Sequence, residues 1–183
     1  GFICLGAYAG TLFRNNLAGG LTSGAPLLSL IVAMLFGGVV AALAGLLIGL
    51  PALRLKGDYL AIVTLAFGEI VKTLFTNIPL FGGPLGLSNR RYDRATLFIV
   101  IFVTAIVSVA IVNNFIRSKH GRAVTAIRDN EIAARAMGVN VTFYKLAVFV
   151  LSSFLAGAGG AALSASSTQI TADGFNYNYS INI

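Results

Sequence analysis

The sequence predicts an all-α fold, a polytopic transmembrane helical bundle, from its composition and from the lengths of its apolar runs. Of the 183 residues, 57% are hydrophobic and only 10% are charged, whereas ordinary soluble domains have about 25% charged residues. Such a chain has too little polar surface to cover a soluble globule. The net charge of +7 comes from basic residues in short loops between apolar runs, a pattern typical of membrane proteins and not of nucleic-acid binding.

Four complete spans and one partial span are predicted, because a helix needs about 20 residues to cross the hydrocarbon core. The complete spans are residues 27–50, 59–75, 96–116 and 146–167, and the partial span is residues 1–13. Asp58 is expected to cap the second complete span. The chain begins with Gly1 inside an apolar run, so we expect it to be part of a longer protein.

Glycines are expected where the spans pack against one another. Gly45 and Gly49 make a small-xxx-small pair in the first complete span, and Gly157 and Gly160 lie in a stretch almost free of side-chain bulk. Lipid supplies no hydrophobic drive between helices, so small residues favour association by letting two backbones approach closely. The stretch around Gly157 is also compatible with a bend where the chain lines a cavity.

The longest polar segment, residues 117–145 (the central polar segment), lies between two apolar runs. It holds six of the thirteen Lys and Arg residues and two acids, Asp129 and Glu131. If this segment is cytoplasmic, the loops on that side carry eight Lys and Arg residues and the opposite loops carry four. That preference agrees with the positive-inside rule and predicts a cytoplasmic location for the segment.

A helix of about two turns is predicted inside the central polar segment. Asp129 is the N-cap candidate, and Glu131 stands in the first turn, where the helix dipole favours an acid. Gly138 is placed to end the helix in a left-handed conformation. Its apolar face is formed by Ile132, Ala133, Ala136 and Met137. Such a helix is too short to be stable alone, and the residues leave two interpretations open: a face that docks another protein, or a connector on the membrane surface.

Three stretches resemble the LivM-type permease subunit of bacterial and archaeal ABC importers for branched-chain amino acids. They are SKHGRAVTAIRDNEIAARAMGVNV at residues 118–141, LPALRLKGDYLAIVTLAFGEI at residues 50–70 and GGPLGL at residues 82–87. They occur in the family's order, and the resemblance covers nearly the whole chain. It implies that residues 1–183 are part of a single transmembrane domain of an importer, with residues 117–145 as its cytoplasmic coupling loop.

The resemblance also implies which residues dock the ATPase. Importer permeases commonly carry a cytoplasmic E-A-A-x-x-x-G motif. Aligned on Gly138, the two alanine positions fall on Ala133 and Ala134, Ile132 occupies the acidic position, and Glu131 lies one residue early. The expected coupling residues are Arg128, Asp129, Glu131, Ile132, Ala133, Ala134, Met137 and Gly138.

The implied function is that of a permease subunit, not an enzyme, in a multi-pass arrangement in the prokaryotic plasma (inner) membrane. The chain lacks the GxxxxGK[ST] pattern that binds ATP phosphates, and its one His and one Cys make no metal or catalytic pattern. No cofactor is therefore expected in this chain, and ATP and Mg belong to separate subunits. The implied partners are two ATPase subunits, a second LivH-like permease, an extracytoplasmic solute-binding protein and the lipid bilayer.

The translocation path is expected to be lined by small and polar side chains on otherwise apolar helices. Thr64, Gly68, Glu69 and Asn77 are the candidates. Glu69 lies three residues from Lys72, so the two side chains share a helix face. The alternative interpretation, which the residues favour, is a structural ion pair or side chains near the helix end that reach the interface. The function has alternatives too: an importer of urea or short amides with the same architecture, or an ion-coupled carrier or channel that works without an ATPase.

Overall fold

The structure, a computed structural model, describes residues 1–16, 26–53, 58–78, 81–89 and 93–175. Within them the chain forms seven α-helices: α1 Phe2–Asn16, α2 Pro26–Ala52, α3 Asp58–Asn77, α4 Arg94–Arg117, α5 Lys119–Asp129, α6 Glu131–Ala136 and α7 Val141–Ala165. Two short strands, β1 Leu87–Ser88 and β2 Gln169–Ile170, pair antiparallel, and 3₁₀ turns form at Gly83–Leu85 and Ala172–Phe175. The all-α prediction is confirmed, with this strand pair as an unforeseen addition. Four of the basic residues counted for the orientation lie outside the described residues: Arg54, Lys56, Arg90 and Arg91.

Three of the described helices are long and apolar enough to cross a membrane, by length and composition: Leu27–Ala52, Arg94–Arg117 and Val141–Ala165. Helix α3 is not among these three, but its 20 residues give it a length of about 30 Å at 1.5 Å per residue. Several predicted helix boundaries were wrong, among them the end of α2 and the start of α7. Helix α2 continues through Pro51 to Ala52, and α7 begins at Val141 instead of residue 146.

Helix α7 begins early because Asn140 caps it. The Asn140 side-chain oxygen accepts a hydrogen bond from the backbone N–H of Phe143 at 3.2 Å. This bond satisfies one of the N–H groups that have no partner within the helix at its first turn. Lys145 therefore lies inside the helix and not in a loop before it.

Helices α1, α2 and α7 pack through glycines. A Cβ atom added to Gly6 of α1 would overlap the backbone of Gly157 in α7, and one added to Gly37 of α2 would lie 2.7 Å from the Gly6 carbonyl oxygen. One added to Gly10 would lie 2.8 Å from the Cβ of Ala161. The three backbones are in contact, which is the arrangement that van der Waals packing requires where lipid provides no hydrophobic drive.

The four glycines expected at helix contacts all lie at this three-helix core. A Cβ on Gly45 would lie 2.5 Å from the Ser153 Oγ, and one on Gly49 would lie 2.9 Å from the Leu146 Cδ1. Gly157 faces α2 as well as α1, and Gly160 faces the Ile3 carbonyl of α1. The alanines between them, such as Ala161, are buried at the same contact.

The glycine contacts also give the directions of the three helices. Gly6 and Gly10 of α1 meet Gly157 and Ala161 of α7 in the same order, so these helices run parallel. Helix α2 meets α7 in the reverse order and is antiparallel to both. Residues 81–89 and 168–175 (the loop layer) consequently lie at the end of the bundle where α1 and α7 finish, and the central polar segment lies at the opposite end.

Helices α3 and α4 lie at the periphery of the core. Helix α3 contacts α1 through Phe75, whose ring stacks on that of Tyr8 with centroids 4.5 Å apart. In α4 only Leu97 and Val100 are buried, and most of its apolar side chains are exposed. This surface suits lipid or a further protein surface inside the membrane.

We expect Gly157→Ala to destabilise the bundle by about 1–3 kcal/mol, because its methyl group would overlap Ala41 and the Gly37 backbone in a packed contact. Thermal unfolding of the detergent-solubilised protein would measure the loss.

Gly159→Ala is the matched control, because nothing lies within 4 Å of its added Cβ and alanine is the better helix former. Equal melting temperatures for the two variants would contradict the three-helix packing.

Candidate functional site

The central polar segment contains two short helices, α5 and α6, where the sequence predicted only one. Helix α5 begins after Ser118, whose hydroxyl oxygen accepts a hydrogen bond from the Gly121 N–H at 3.2 Å. Gly121 is buried at the turn from α4, and a Cβ there would overlap the carbonyl groups of Phe115 and Ile116. Helix α5 therefore turns sharply away from the end of the membrane helix α4.

The N-cap of α6 is Asn130, and the prediction of Asp129 was wrong. The Asn130 Oδ1 accepts hydrogen bonds from the N–H groups of Ile132 and Ala133, both at 3.0 Å. Asp129 is instead the last residue of α5, and its exposed carboxylate pairs with Arg128 at 3.2 Å. Asp and Asn are about equally good caps, so the choice depends on where the preceding helix ends.

The end of α6 follows the prediction for Gly138, which has a left-handed backbone with φ of 82°. Its N–H donates to the Arg135 carbonyl at 3.0 Å, and the Val139 N–H donates to the Ala134 carbonyl at 3.1 Å. This pair of bonds is the Schellman arrangement, which satisfies the last carbonyls of a helix and requires a residue that tolerates positive φ.

Helix α6 is held to its neighbours by the residues on its inner face. Ala134 is only 5% exposed and packs in a cluster with Ile127 of α5 and Val141 of α7. The Glu131 carboxylate accepts hydrogen bonds from Lys145 of α7 at 2.7 Å and from Arg135 at 3.2 Å. Helices α5, α6 and the start of α7 therefore form one connected unit, in which Ala134 and Glu131 face inward.

The outer face of α6 is apolar and open. Ile132 is 83% exposed and Met137 is 84% exposed, and the alanines 133 and 136 beside them are exposed as well. Large side chains at this exposure on a short helix have no partner within the described part of the chain. This is the apolar face that the sequence predicted.

The C-terminal end of α2 reaches the same end of the bundle. An open groove of about 520 Å³ lies between α2, α5 and α7, with Leu53, Ile127 and Phe149 among its walls and Glu131 and Lys145 at its polar side. Leu53 at the end of α2 and the central polar segment therefore lie at the same end of the bundle.

Comparison with known families matches residues 1–183 to the family described as branched-chain amino acid transport system / permease component. The chain belongs to this permease family. The high-affinity branched-chain amino acid transport system permease protein LivM of Salmonella typhimurium is 32% identical over 97% of the chain. A probable LivM protein of Methanocaldococcus jannaschii is 26% identical over 91% of the chain. The predicted resemblance to LivM-type permeases is confirmed.

The chain spans about half the length of these relatives, namely 47% of the Salmonella protein and 52% of the Methanocaldococcus protein. The nucleoside ABC transporter permease protein NupC of Lactococcus lactis is 24% identical over 88% of the chain and 55% of its own length. No solved structure matches the chain.

In this permease the four path candidates do not come together. Thr64 and Gly68 are half-buried, on the face of α3 that also carries Val71 and Phe75. Glu69 is exposed on the opposite face. Asn77 is exposed at the end of the helix, where its side chain donates to the Thr73 carbonyl at 2.8 Å.

A set of buried polar residues at the loop-layer end was missed from the sequence. Thr11 of α1 donates to the Ser164 hydroxyl of α7 at 3.3 Å, and the Asn89 amide donates to the Ser164 carbonyl at 2.5 Å. Arg14 is buried at the same end of α1. A hydroxyl near the end of an apolar helix is too common a feature to indicate such a contact, and Asn89 lies in a loop with no periodic pattern.

We expect Asn130→Ala to destabilise α6 by about 1 kcal/mol, because two backbone N–H groups lose their acceptor. Hydrogen–deuterium exchange measured on a peptide covering residues 131–137 should then be roughly five times faster, since 1.4 kcal/mol corresponds to a factor of ten.

Asp129→Ala is the control and should leave that exchange rate nearly unchanged, because the exposed Arg128–Asp129 pair contributes little. A larger effect at Asp129 than at Asn130 would contradict the assignment of the cap.

Proposed function

We propose that this chain is part of the membrane-spanning subunit of an ATP-driven importer in the prokaryotic plasma membrane. In this proposal it forms part of the path for branched-chain amino acids and docks separate ATPase subunits on its cytoplasmic side. Membership of the permease family supports the general role. A second LivH-like permease and an extracytoplasmic solute-binding protein complete the proposed complex.

The observation that carries the docking role is the exposure of Ile132 and Met137 on a helix fixed at both ends. Fully burying one such side chain contributes roughly 1.5–3 kcal/mol. A partner groove that accepted both side chains would therefore supply a substantial part of the binding free energy of a specific interface. The inward ties of Ala134 and Glu131 keep the pair in a fixed position. A helix so held presents a preformed contact, which lowers the ordering cost of binding.

A connector lying on the membrane surface is the weaker interpretation. It would need the large apolar side chains to reach lipid, and basic residues beside them. In α6 the Arg135 side chain instead donates a hydrogen bond to Glu131. Ile132 and Met137 lie on the exposed side of α6, away from the buried cluster that joins this helix to α5 and α7. These contacts favour a protein partner for Ile132 and Met137.

Among solutes, branched-chain amino acids are favoured by the relatives. The LivM protein of Salmonella typhimurium is 32% identical, whereas the nucleoside permease of Lactococcus lactis is 24% identical. Family membership alone therefore does not fix the solute. Uptake of labelled leucine by the assembled full-length complex, with unlabelled isoleucine, urea, acetamide and a nucleoside as competitors, tests this choice directly.

Glu69 is proposed to face the translocation path. It lies in the middle of α3 with an exposed side chain, and an isolated charge near the bilayer centre costs at least about 2.5 kcal/mol on insertion scales. Such a side chain requires water or another protein surface. Thr64 and Gly68 lie on the face of α3 that is turned toward the core. They would position the helix that carries Glu69.

We expect Ile132→Asp and Met137→Asp each to reduce uptake and ATPase co-purification at least tenfold, which corresponds to about 1.4 kcal/mol of lost binding. Both side chains are more than 80% exposed, so folding of the permease itself should be preserved.

Ala126→Asp adds the same charge at an exposed position of α5 and should retain both properties. Normal ATPase co-purification in the Ile132 and Met137 variants would remove the docking role. Uptake by the permease without any ATPase would instead identify an ion-coupled carrier or channel.

We expect Glu69→Gln to reduce uptake at least tenfold while the ATPases still co-purify, because a path residue acts in transport and not in assembly. Labelled-solute uptake and affinity purification of the complex measure the two properties separately. Normal uptake in the double variant Glu69→Gln/Lys72→Met would contradict the path role and show that Glu69 only balances Lys72.

A further inference from the structure

The loop layer closes one end of the bundle through contacts far apart in sequence. The Asn89 N–H donates to the Thr168 carbonyl at 2.8 Å, beside the β1–β2 pair. The Gln169 amide donates to the Leu85 carbonyl at 2.7 Å. Ile170 packs with Tyr8 of α1, whose hydroxyl donates to the Ile170 carbonyl at 3.3 Å. The layer thus covers the seam between α1 and α3.

The same layer is tied to the ends of the core helices. The Asn15 amide of α1 donates to the Ser88 carbonyl at 3.0 Å. The Asn89 amide donates to the carbonyl of Ser164 in α7, and Thr11 contacts the Ser164 hydroxyl. The loop between α3 and α4 therefore contacts the last turn of α7, the helix whose first turn holds Lys145 and its bond to Glu131.

Two features favour a contact between residues 81–89 and 168–175 that can open. The strands are two residues long, so few backbone hydrogen bonds must break for the layer to open. In addition, the Asn89 side chain is buried, with 9% exposure, and among the described residues its Oδ1 finds no hydrogen-bond donor. A buried acceptor without a donor destabilises the state that contains it. Opening would expose Oδ1 to water and relieve this cost.

We propose that residues 81–89 of the loop layer are a lid at the extracytoplasmic end of the transport path, which separates from residues 168–175 and from the end of α7 and closes again in each cycle. The proposal rests on the importer function argued above. Movement of the central polar segment would reach the lid through α7, because one end of that helix contacts Glu131 and the other contacts Asn89. A shift between two such states requires partner contacts that differ between them.

A reversible cross-link between the strands tests the lid. Ser88 and Gln169 are paired and exposed. Because Asn89 and Thr168 form the neighbouring hydrogen-bonded pair, Ser88 and Gln169 occupy a non-hydrogen-bonded position, with Cα atoms about 4.5 Å apart. That separation is within the disulfide range of about 4.4–6.8 Å. The variant is Ser88→Cys/Gln169→Cys in a full-length, cysteine-free permease that includes Cys4→Ala, assembled with its companion subunits.

The oxidised double-cysteine complex is expected to take up solute at least ten times more slowly than the same complex after reduction. Ser88→Cys and Gln169→Cys alone are the controls and should respond to neither treatment. Equal uptake with the disulfide fully formed, a loss that reduction does not reverse, or failure of the disulfide to form would each overturn the lid. A cysteine-free parent that neither binds ATPases nor transports would overturn the importer function instead.

Discussion

Backbone contact between α1, α2 and α7 is the constraint on which the rest of the structure depends. At Gly6, Gly37 and Gly157 there is no room for even a methyl group. Inside a bilayer, apolar side chains gain nothing by leaving lipid for one another, so close approach and the dispersion contacts that it permits hold helices together. The three helices are consequently one body, and the central polar segment and the loop layer are attached to its two ends.

Exposure has two meanings in this chain, depending on where a residue lies. The apolar surface of α4 carries no penalty where lipid or another membrane helix covers it. Ile132 and Met137 are more exposed than most residues of α4, yet they lie in the most polar part of the sequence, outside the predicted spans. We propose that an apolar pair there binds a partner from the aqueous side. Glu69 is the opposite case, because a charge on an apolar helix requires water or protein where its neighbours require lipid.

The sequence was sufficient for features that depend on local chemistry. The long apolar runs predicted three of the membrane helices, and Gly138 indicated the left-handed end of α6, since few other residues accept a positive φ. It was insufficient where contacts between distant residues decide. Asn130 replaced Asp129 as the cap because α5, which was not predicted, ends at Asp129. The pairing of β1 with β2 joins segments about eighty residues apart and has no periodic signal.

The division between rigid and loosely held parts indicates where motion can occur. Helices α5, α6 and α7 are joined by the Ala134 cluster and the Glu131 bonds, and α7 is joined to α1 and α2 by backbone contact. A force applied at Ile132 would therefore move these helices together and would not bend α7 alone. Helix α3 meets this body mainly through aromatic side chains such as Phe75, which can slide where interlocked backbones cannot. Relative motion should then fall between α3 and the core, along the seam that the loop layer covers and beside the helix that carries Glu69.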